Sequence, residues 1–222
     1  MCGMVKLVLL QVTVFAGMAT YRLTYFKAKG RAELIRWIFS QAGVKFEDCR
    51  IEEGDWPTLK SKTPYHTLPI LEFDGKTLGG SGPIARYVAE KHGLAGSNDF
   101  ENADLAGIYD MVNDMVTEIY KFVFEGNDEA KTKLKEALVE EKLPKFLGIL
   151  ESRITENGCP EGWSYGSKIT YVDMWIALSL DLVVMVDENV SKTYPAVLKL
   201  KGTVEAQPNI AKWIKERPQT QY

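Results

Sequence analysis

The spacing of apolar residues changes once along this chain of 222 residues, and that change limits the folds open to it. In the first part, stretches that alternate bulky and polar side chains predict strands, and stretches with apolar residues three and four apart predict helices. The predicted order is a strand at 21–25, a helix at 33–43, strands at 44–51, 70–73 and 77–78, and a helix at 81–93. Asp74-Gly75 suits the tight turn of a hairpin between the last two strands. Six such elements within about 75 residues have the size of a compact α/β domain.

The second part of the chain is predicted to be helical after a linker at 94–98. Apolar residues at helical spacing cover 100–124 and 128–150. These two stretches suit a pair of long antiparallel helices, and Pro144 is expected to bend the second. No strand pattern competes there.

A third helix is predicted to begin at Thr170. Thr170 suits the N-cap, and the Asp173 carboxylate can reach back to the Thr170 amide, which makes a capping box. Ile169 can pack on Met174 as a hydrophobic staple, so the motif is assigned to folding rather than to catalysis. A last short helix is predicted at 209–216, and Ser81 is the predicted N-cap of the helix at 81–93.

Tyr25 lies where the first strand ends and a loop begins, before Gly30 interrupts the pattern. A phenol at such a loop can donate a hydrogen bond into a cleft, which makes Tyr25 the first candidate for chemistry. An ordinary aromatic residue at a strand end is the alternative that this segment alone leaves open.

Composition excludes several classes of function. The net charge of -3 provides no general attraction to nucleic acid or to an anionic membrane, so neither is an expected partner. Cys2, Cys49 and Cys159 are an odd number of widely separated thiols, which fits neither a disulfide framework nor a zinc motif and favours a reducing compartment. With only His66 and His92 as imidazoles, we expect no metal site.

The amino terminus allows two interpretations. The apolar run at 7–16 and the small residues near Ala19 are compatible with a short secretory signal. A single positive charge before the run, its interruption by Gln11 and Thr13, and a second possible start at Met18 favour an extension outside the fold, which we expect at 1–19.

From Tyr21 onwards the chain resembles glutathione S-transferases, and within them the sigma class. The matching phrases, in order, are LTYF with GRAE, Gly54-Asp55-Trp56-Pro57, Leu68-Pro69-Ile70-Leu71, DGKTL, and Ser81 with Ile84-Ala85-Arg86-Tyr87. The resemblance implies a thioredoxin-like α/β N-terminal domain at 20–93, the linker at 94–98 and an all-α C-terminal domain at 99–222. It also implies a cytoplasmic homodimer that uses glutathione as co-substrate, with no other cofactor, and conjugates it to small hydrophobic electrophiles.

In this family the tyrosine matching Tyr25 donates a hydrogen bond to the sulfur of glutathione and stabilises the thiolate. A free cysteine thiol has a pKa near 8.5, so lowering it by about one unit makes the nucleophile abundant at neutral pH. Arg31 follows at the family's spacing and would add positive potential near the sulfur.

The remaining matched positions imply contacts along the tripeptide. Trp56 and Lys60 suit the carboxylate at its glycine end, although packing within the loop is the alternative for Trp56. Leu68, before a cis Pro69, would pair with the cysteinyl backbone. Ser81 would bind the γ-glutamyl carboxylate at a helix N-terminus. His66 and Thr67 share the loop before Leu68, where a solvated histidine is the usual case. Asp114 aligns with an acidic residue that crosses the dimer interface towards the γ-glutamyl amine, and a solvated side chain is its alternative.

Gly80 departs from the family, which usually has glutamine before the serine. A lost charge-assisted hydrogen bond weakens binding by about 1.5 to 3 kcal/mol, or one to two decades, although the backbone amide of Gly80 remains a potential donor. Two alternatives to a transferase therefore stay open. One is a non-enzymatic relative, such as a lens-type structural protein or a carrier of hydrophobic ligands, and the other is a glutathione-dependent prostaglandin isomerase.

Overall fold

The computed structural model describes residues 21–220, which form a four-stranded sheet covered by helices and followed by a helical bundle. The strands are β1 (Tyr21–Phe26), β2 (Phe46–Ile51), β3 (Ile70–Phe73) and β4 (Lys76–Gly79). Their order is β2-β1-β3-β4, with β1 parallel to β2 and antiparallel to β3, and β4 antiparallel to β3. The predicted fold class, a thioredoxin-like α/β domain followed by an all-helical domain, is confirmed.

The helices of the first part are α1 (Glu33–Gln41), α2 (Trp56–Lys60) and α3 (Ser81–Lys91). Those of the second part are α4 (Asp99–Val123), α5 (Asp128–Ala137), α6 (Leu143–Asn157), α7 (Tyr171–Val186), α8 (Pro195–Glu205) and α9 (Pro208–Glu216). The 1–19 extension predicted from the sequence lies outside the described residues. No helix between residues 21 and 220 is both long and apolar enough to cross a membrane.

The hydrophobic core runs without interruption through both parts. On β1, Tyr21 and Leu23 are buried while Arg22 between them is exposed, as the alternation predicts. Helices α1 and α7 are buried over most of their surface and contact each other, so they join the sheet to the bundle. This junction brings the loop after β1 close to α4 and α7.

Three predicted local features are confirmed. Asp74 and Gly75 have φ values of 46° and 71°, as a two-residue hairpin turn of this kind requires. The Leu68–Pro69 peptide bond is cis. The Thr170–Asp173 capping box is present, and Ile169 and Met174 are both buried beside it.

Several details differ from the sequence predictions. Strand β2 begins at Phe46 rather than at residue 44, and the polar stretch at 52–69, for which no helix or strand is predicted, contains α2. The predicted helix at 128–150 is split into α5 and α6 by a π-helical turn at Leu138–Lys142, directly before Pro144. Because proline has no N–H, the regular hydrogen-bond ladder cannot continue through it. Ser81 is the first residue of α3 and Gly80 occupies the N-cap, so the prediction of Ser81 as N-cap was wrong by one residue.

Candidate functional site

The sheet register brings three of the predicted site segments to one end of the sheet. Thr24 of β1 pairs with Ile70 of β3, and Ile70 pairs with Gly79 of β4. Tyr25 at the end of β1, Leu68-Pro69 before β3 and Gly80-Ser81 after β4 therefore lie at the same end.

The Tyr25 hydroxyl is held by the backbone of the loop that follows β1. The Arg31 N–H donates to the Tyr25 Oη at 3.3 Å, so the oxygen is engaged as an acceptor and its proton is directed elsewhere. Gly30 has φ +42°, and a Cβ atom there would lie 2.7 Å from the Tyr25 Oη. Only glycine fits the loop at this position.

The Arg31 side chain crosses to α4 and meets three uncharged groups. Its Nη1 donates to the Asn113 Oδ1 at 2.6 Å, and its Nη2 donates to the Thr117 Oγ1 at 3.0 Å. The Tyr120 ring lies under the guanidinium at 5.8 Å. Burial, together with the nearby Tyr25, raises the pKa of Tyr120 to about 12, so this phenol is neutral at physiological pH.

Trp56 and Lys60 are the first and last residues of the short helix α2. The Trp56 ring packs edge-on against Phe26, with 5.9 Å between ring centroids, which places it beside the strand that carries Tyr25. Trp56 is half-buried and Lys60 is exposed. The packing role considered for Trp56 is therefore real, and its indole remains at the surface of the site.

His66 and Thr67 are exposed in the loop before Leu68. Tyr65 and His66 have φ values of 58° and 53°, an uncommon left-handed conformation for residues with side chains. Neither the imidazole of His66 nor the hydroxyl of Thr67 bonds to another predicted site residue within the described chain. Pro69 beside them is buried, and sheet pairing begins only at Ile70.

Gly80 and Ser81 each make a polar contact within the fold. The Gly80 N–H donates to the Pro69 carbonyl at 3.1 Å, so the amide that was expected to serve a ligand is used within the fold. The Ser81 Oγ lies 3.4 Å from the Tyr109 hydroxyl on α4. Burial raises the pKa of Tyr109, so this neighbour is neutral. Asp114, further along α4, is exposed and makes no hydrogen bond to another predicted site residue in the part of the chain that is described.

A cavity of about 270 Å³ opens beside Tyr25. Its wall includes Tyr120 and also Gly30, where an added Cβ would lie 2.7 Å from the Tyr25 hydroxyl. The other lining residues are Lys29, Glu33, Trp175, Leu178, Asp181, Leu182 and Met185. The wall is mainly apolar, as expected for a small hydrophobic ligand, and its charged members are Lys29, Glu33 and Asp181.

A larger groove of about 640 Å³ lies between the end of α4, α5 and the end of α7. It contains none of the predicted site residues, and its charged lining residues are two lysines and four carboxylates. Among residues 21–220 there is no group of three or more histidines, cysteines and carboxylates placed to hold a metal ion.

Several residues of this site were not predicted from the sequence. Asn113, Thr117 and Tyr120 hold Arg31, and Gly30 makes room for the Tyr25 hydroxyl. A partial signal existed on α4, because Asn113 and Thr117 are polar residues four apart on one face of a helix. Their distance in sequence from Arg31 left no sign of which partner they would meet.

Comparison with known proteins places the chain among similar sequences along most of its length. The family model described as "Glutathione S-transferase, N-terminal domain" matches residues 31–97, and "Glutathione S-transferase, C-terminal domain" matches 113–217. Glutathione S-transferase 1 of Ascaris suum is 39% identical over 92% of this chain and 100% of its own length. Hematopoietic prostaglandin D synthase of Gallus gallus is 36% identical over 91% of this chain and 99% of its own length. S-crystallin SL11 of Nototodarus sloanii is 32% identical over 92% of this chain and 100% of its own length.

Solved structures agree with these matches. The glutathione S-transferase from Ascaris lumbricoides aligns with a TM-score of 0.82 and 37% identity, over 91% of this chain and all of that one. Na-GST-3 of Necator americanus, described as monomeric, aligns with a TM-score of 0.84 and 34% identity, over 91% of this chain and all of that one.

Proposed function

The chain belongs to the glutathione S-transferase family, and we propose that it conjugates the thiolate of glutathione to small hydrophobic electrophiles, with Tyr25 stabilising the thiolate. The observation that carries the proposal is the hydrogen bond from the Arg31 N–H to the Tyr25 Oη. Because the oxygen accepts this bond, the phenolic proton is free to point at a sulfur in the cleft.

The reaction follows from that geometry. The thiol proton passes to solvent, the sulfur lone pair forms a C–S bond with the electrophilic carbon, and the leaving group departs with its electron pair. Donors that are already oriented stabilise the charge on sulfur without rearrangement of solvent. The Tyr25 hydroxyl and the Arg31 guanidinium serve in this role.

The rest of the tripeptide is assigned to the same end of the sheet. The indole of Trp56 and the ammonium of Lys60 receive the glycine carboxylate, and the backbone of Leu68 pairs with the cysteinyl residue. The Ser81 hydroxyl at the N-terminus of α3 receives the γ-glutamyl carboxylate. For this purpose the Ser81 Oγ turns away from the Tyr109 hydroxyl, a contact of 3.4 Å that is long for two hydroxyl groups.

The second substrate occupies the cavity beside Tyr25. Trp175, Leu178 and Leu182 follow one face of α7 and present an apolar wall to it. A volume of about 270 Å³ suits one small apolar group, such as a substituted aromatic ring.

In this proposal, the oligomeric state and the cellular location are those usual in the family. We assign a cytoplasmic homodimer in which Asp114 of one copy approaches the glutathione of the other. The exposed position of Asp114 on α4 supports this assignment, since the side chain is available to a partner. One similar structure is described as monomeric, so a measurement of molecular mass in solution decides the point.

Two other functions have particular support. The similarity to hematopoietic prostaglandin D synthase supports a glutathione-dependent isomerase. The similarity to an S-crystallin, together with Gly80 at the γ-glutamyl end, supports a non-enzymatic protein. The intact arrangement of Tyr25, Gly30 and Arg31 places the transferase first.

The test is turnover of a generic aryl halide at saturating glutathione, in the parent and in Tyr25→Phe. Removing one oriented donor to a developing charge lowers the rate about a hundredfold, so we expect Tyr25→Phe to lose about that factor in kcat/KM with an unchanged melting temperature. Tyr65→Phe removes an exposed phenol and serves as the matched control, with no expected change. An inactive parent would rule out the transferase and leave the isomerase and the non-enzymatic protein as the alternatives.

A further inference from the structure

The surroundings of the Arg31 guanidinium contain no negative charge in direct contact within the described chain. Its partners are the Asn113 amide oxygen, the Thr117 hydroxyl and the Tyr120 ring, and all three are neutral. Thr117 donates its own proton to the Asn113 carbonyl at 2.8 Å, which leaves its oxygen free to accept from Arg31. The arginine is thus fixed in place without an ion pair.

Charged groups nearby are committed to other partners or face solvent. In the cavity wall, Glu33 binds Arg36 and Arg217, and Asp181 binds Lys201. The remaining titratable groups around Arg31 are Tyr25 on β1, Tyr109 and Tyr120 on α4, Lys29 in the loop, and the exposed Asp110 and Asp114 on α4. None of them forms a salt bridge with Arg31 in the described chain.

We propose that Asn113 is a positioning residue that holds Arg31 through a neutral amide and thereby leaves the full positive charge of Arg31 available to the glutathione sulfur. This inference rests on the proposed function. A carboxylate at position 113 would hold the guanidinium as firmly, but it would compensate its charge and weaken its attraction for a second anion. The chemical nature of residue 113 thus controls how readily the bound thiol ionises.

The test is Asn113→Asp, a nearly isosteric change that adds one negative charge beside Arg31. A charge this close shifts an ionisation by about one pH unit, so we expect the acid limb of the kcat/KM profile to move up by that amount. The rate at pH below the limb then falls about tenfold, while the rate in alkaline solution is nearly unchanged. Titration of the ultraviolet thiolate band of glutathione-saturated protein should show the same displacement.

Three further variants separate charge from structure. Asn113→Ala is expected to move the limb less than Asn113→Asp does, because Thr117 and Tyr120 still contact Arg31 and its charge is not compensated. Thr117→Asp places a carboxylate at the other partner of Arg31 and should reproduce the upward shift. Asn102→Asp makes the same chemical change about 16 Å earlier along α4, beyond the screening length of about 8 to 10 Å. A carboxylate there can still accept from the Gly96 N–H, so we expect no shift.

The outcomes distinguish this inference from the proposed function. A parent protein with no thiolate band at saturating glutathione would overturn both. An active parent whose limb moves no further in Asn113→Asp than in Asn102→Asp would overturn only the role of Asn113. Equal shifts in Asn113→Asp and Asn113→Ala would also overturn it, because charge would then not be the cause.

Discussion

Gly30, in the loop after Tyr25, and Gly80, before Ser81, both have positive φ, but for different physical reasons. At Gly30 a Cβ atom would meet the Tyr25 Oη at 2.7 Å, so both space and backbone conformation exclude a side chain. At Gly80, with φ +89°, the nearest atoms to an added Cβ are the Pro83 Cδ and Cγ at 3.4 and 3.6 Å. A side chain at position 80 therefore has room, and only the backbone conformation opposes it.

Gly80→Gln should improve glutathione binding while lowering stability. The backbone conformation at Gly80 suits residues other than glycine poorly, and holding one there lowers the free energy of unfolding by about 1 to 3 kcal/mol. The new amide can bond the γ-glutamyl group, and a hydrogen bond to a charged group adds about 1.5 to 3 kcal/mol, or one to two decades in affinity. Calorimetric titration with glutathione and chemical denaturation measure the two effects.

Gly80→Ala is the matched control, because it has the same backbone strain without the amide. We expect the two variants to lose similar stability and only Gln to bind glutathione more tightly than Ala. Equal affinities would show that the γ-glutamyl end makes no use of a side chain at position 80.

The sequence suggested site residues by two routes. Tyr25 was a candidate from its place at the end of a strand, whereas Arg31 came only from the resemblance to glutathione S-transferases, and the structure joins the two by a hydrogen bond. Asn113 and Thr117 could not be identified, because their role depends on a contact with Arg31 more than 80 residues away in the chain. The positive φ of Gly80 was also not predicted, because glycine adopts positive and negative φ about equally readily and the sequence alone does not distinguish them.

At the scale of secondary structure, the sequence was sufficient to predict an element or a turn whose defining residues lie close together in the chain. The α7 capping box and the β3–β4 hairpin were predicted because their signals lie within four residues. Helix α8 was not predicted, although Pro195 marks its first turn. The π-helical turn before Pro144 was expected only as a bend, because periodicity alone does not distinguish a kink from a wider turn.

The N-terminus of α7 contains more than a helix cap. The Asp173 carboxylate is buried and accepts four hydrogen bonds, from the amide and hydroxyl of Thr170 and from the amide and hydroxyl of Ser164, at 2.7 to 2.8 Å. We expect Asp173→Ala to lower the free energy of unfolding by about 3 kcal/mol or more, because it leaves several buried donors without partners. Thr170→Ala should cost about 1 kcal/mol, as loss of a simple cap does. Urea denaturation of both variants measures this difference, and equal losses would contradict a role for Ser164.

At the scale of the whole molecule, a buried charge network ties the C-terminal helix to the sheet and to the loop beside Tyr25. Glu33 on α1 accepts from the Trp213 indole and from Arg217, each at 2.8 Å, and pairs with Arg36 at 3.0 Å. Arg36 donates in turn to the Ala28 carbonyl at 2.9 Å. The end of the chain therefore supports the loop that carries Gly30 and Arg31, across the junction between sheet and bundle.

This network predicts a specific dependence of stability on pH. Burial alone would raise the pKa of Glu33, but Arg36, Trp213 and Arg217 together hold it below its ordinary value of 4.5. A carboxyl whose pKa is lowered on folding contributes stability that is present above its unfolded pKa and is lost as pH falls through its folded pKa. We expect the parent protein to lose this contribution below about pH 4.5.

Glu33→Gln tests the contribution, because it keeps the shape of the side chain and removes its charge. Leaving Arg36 and Arg217 without their buried partner should lower the free energy of unfolding by about 3 to 5 kcal/mol at neutral pH. The variant should then lose less stability on acidification than the parent, since one of the groups responsible is gone. Glu90→Gln, which removes the exposed partner of Arg86, is the control and should cost less than about 1 kcal/mol. Denaturant midpoints measured from pH 7 down to about pH 3 test this expectation. Parallel curves of midpoint against pH for the parent and Glu33→Gln would show that Glu33 carries no charge-dependent stability.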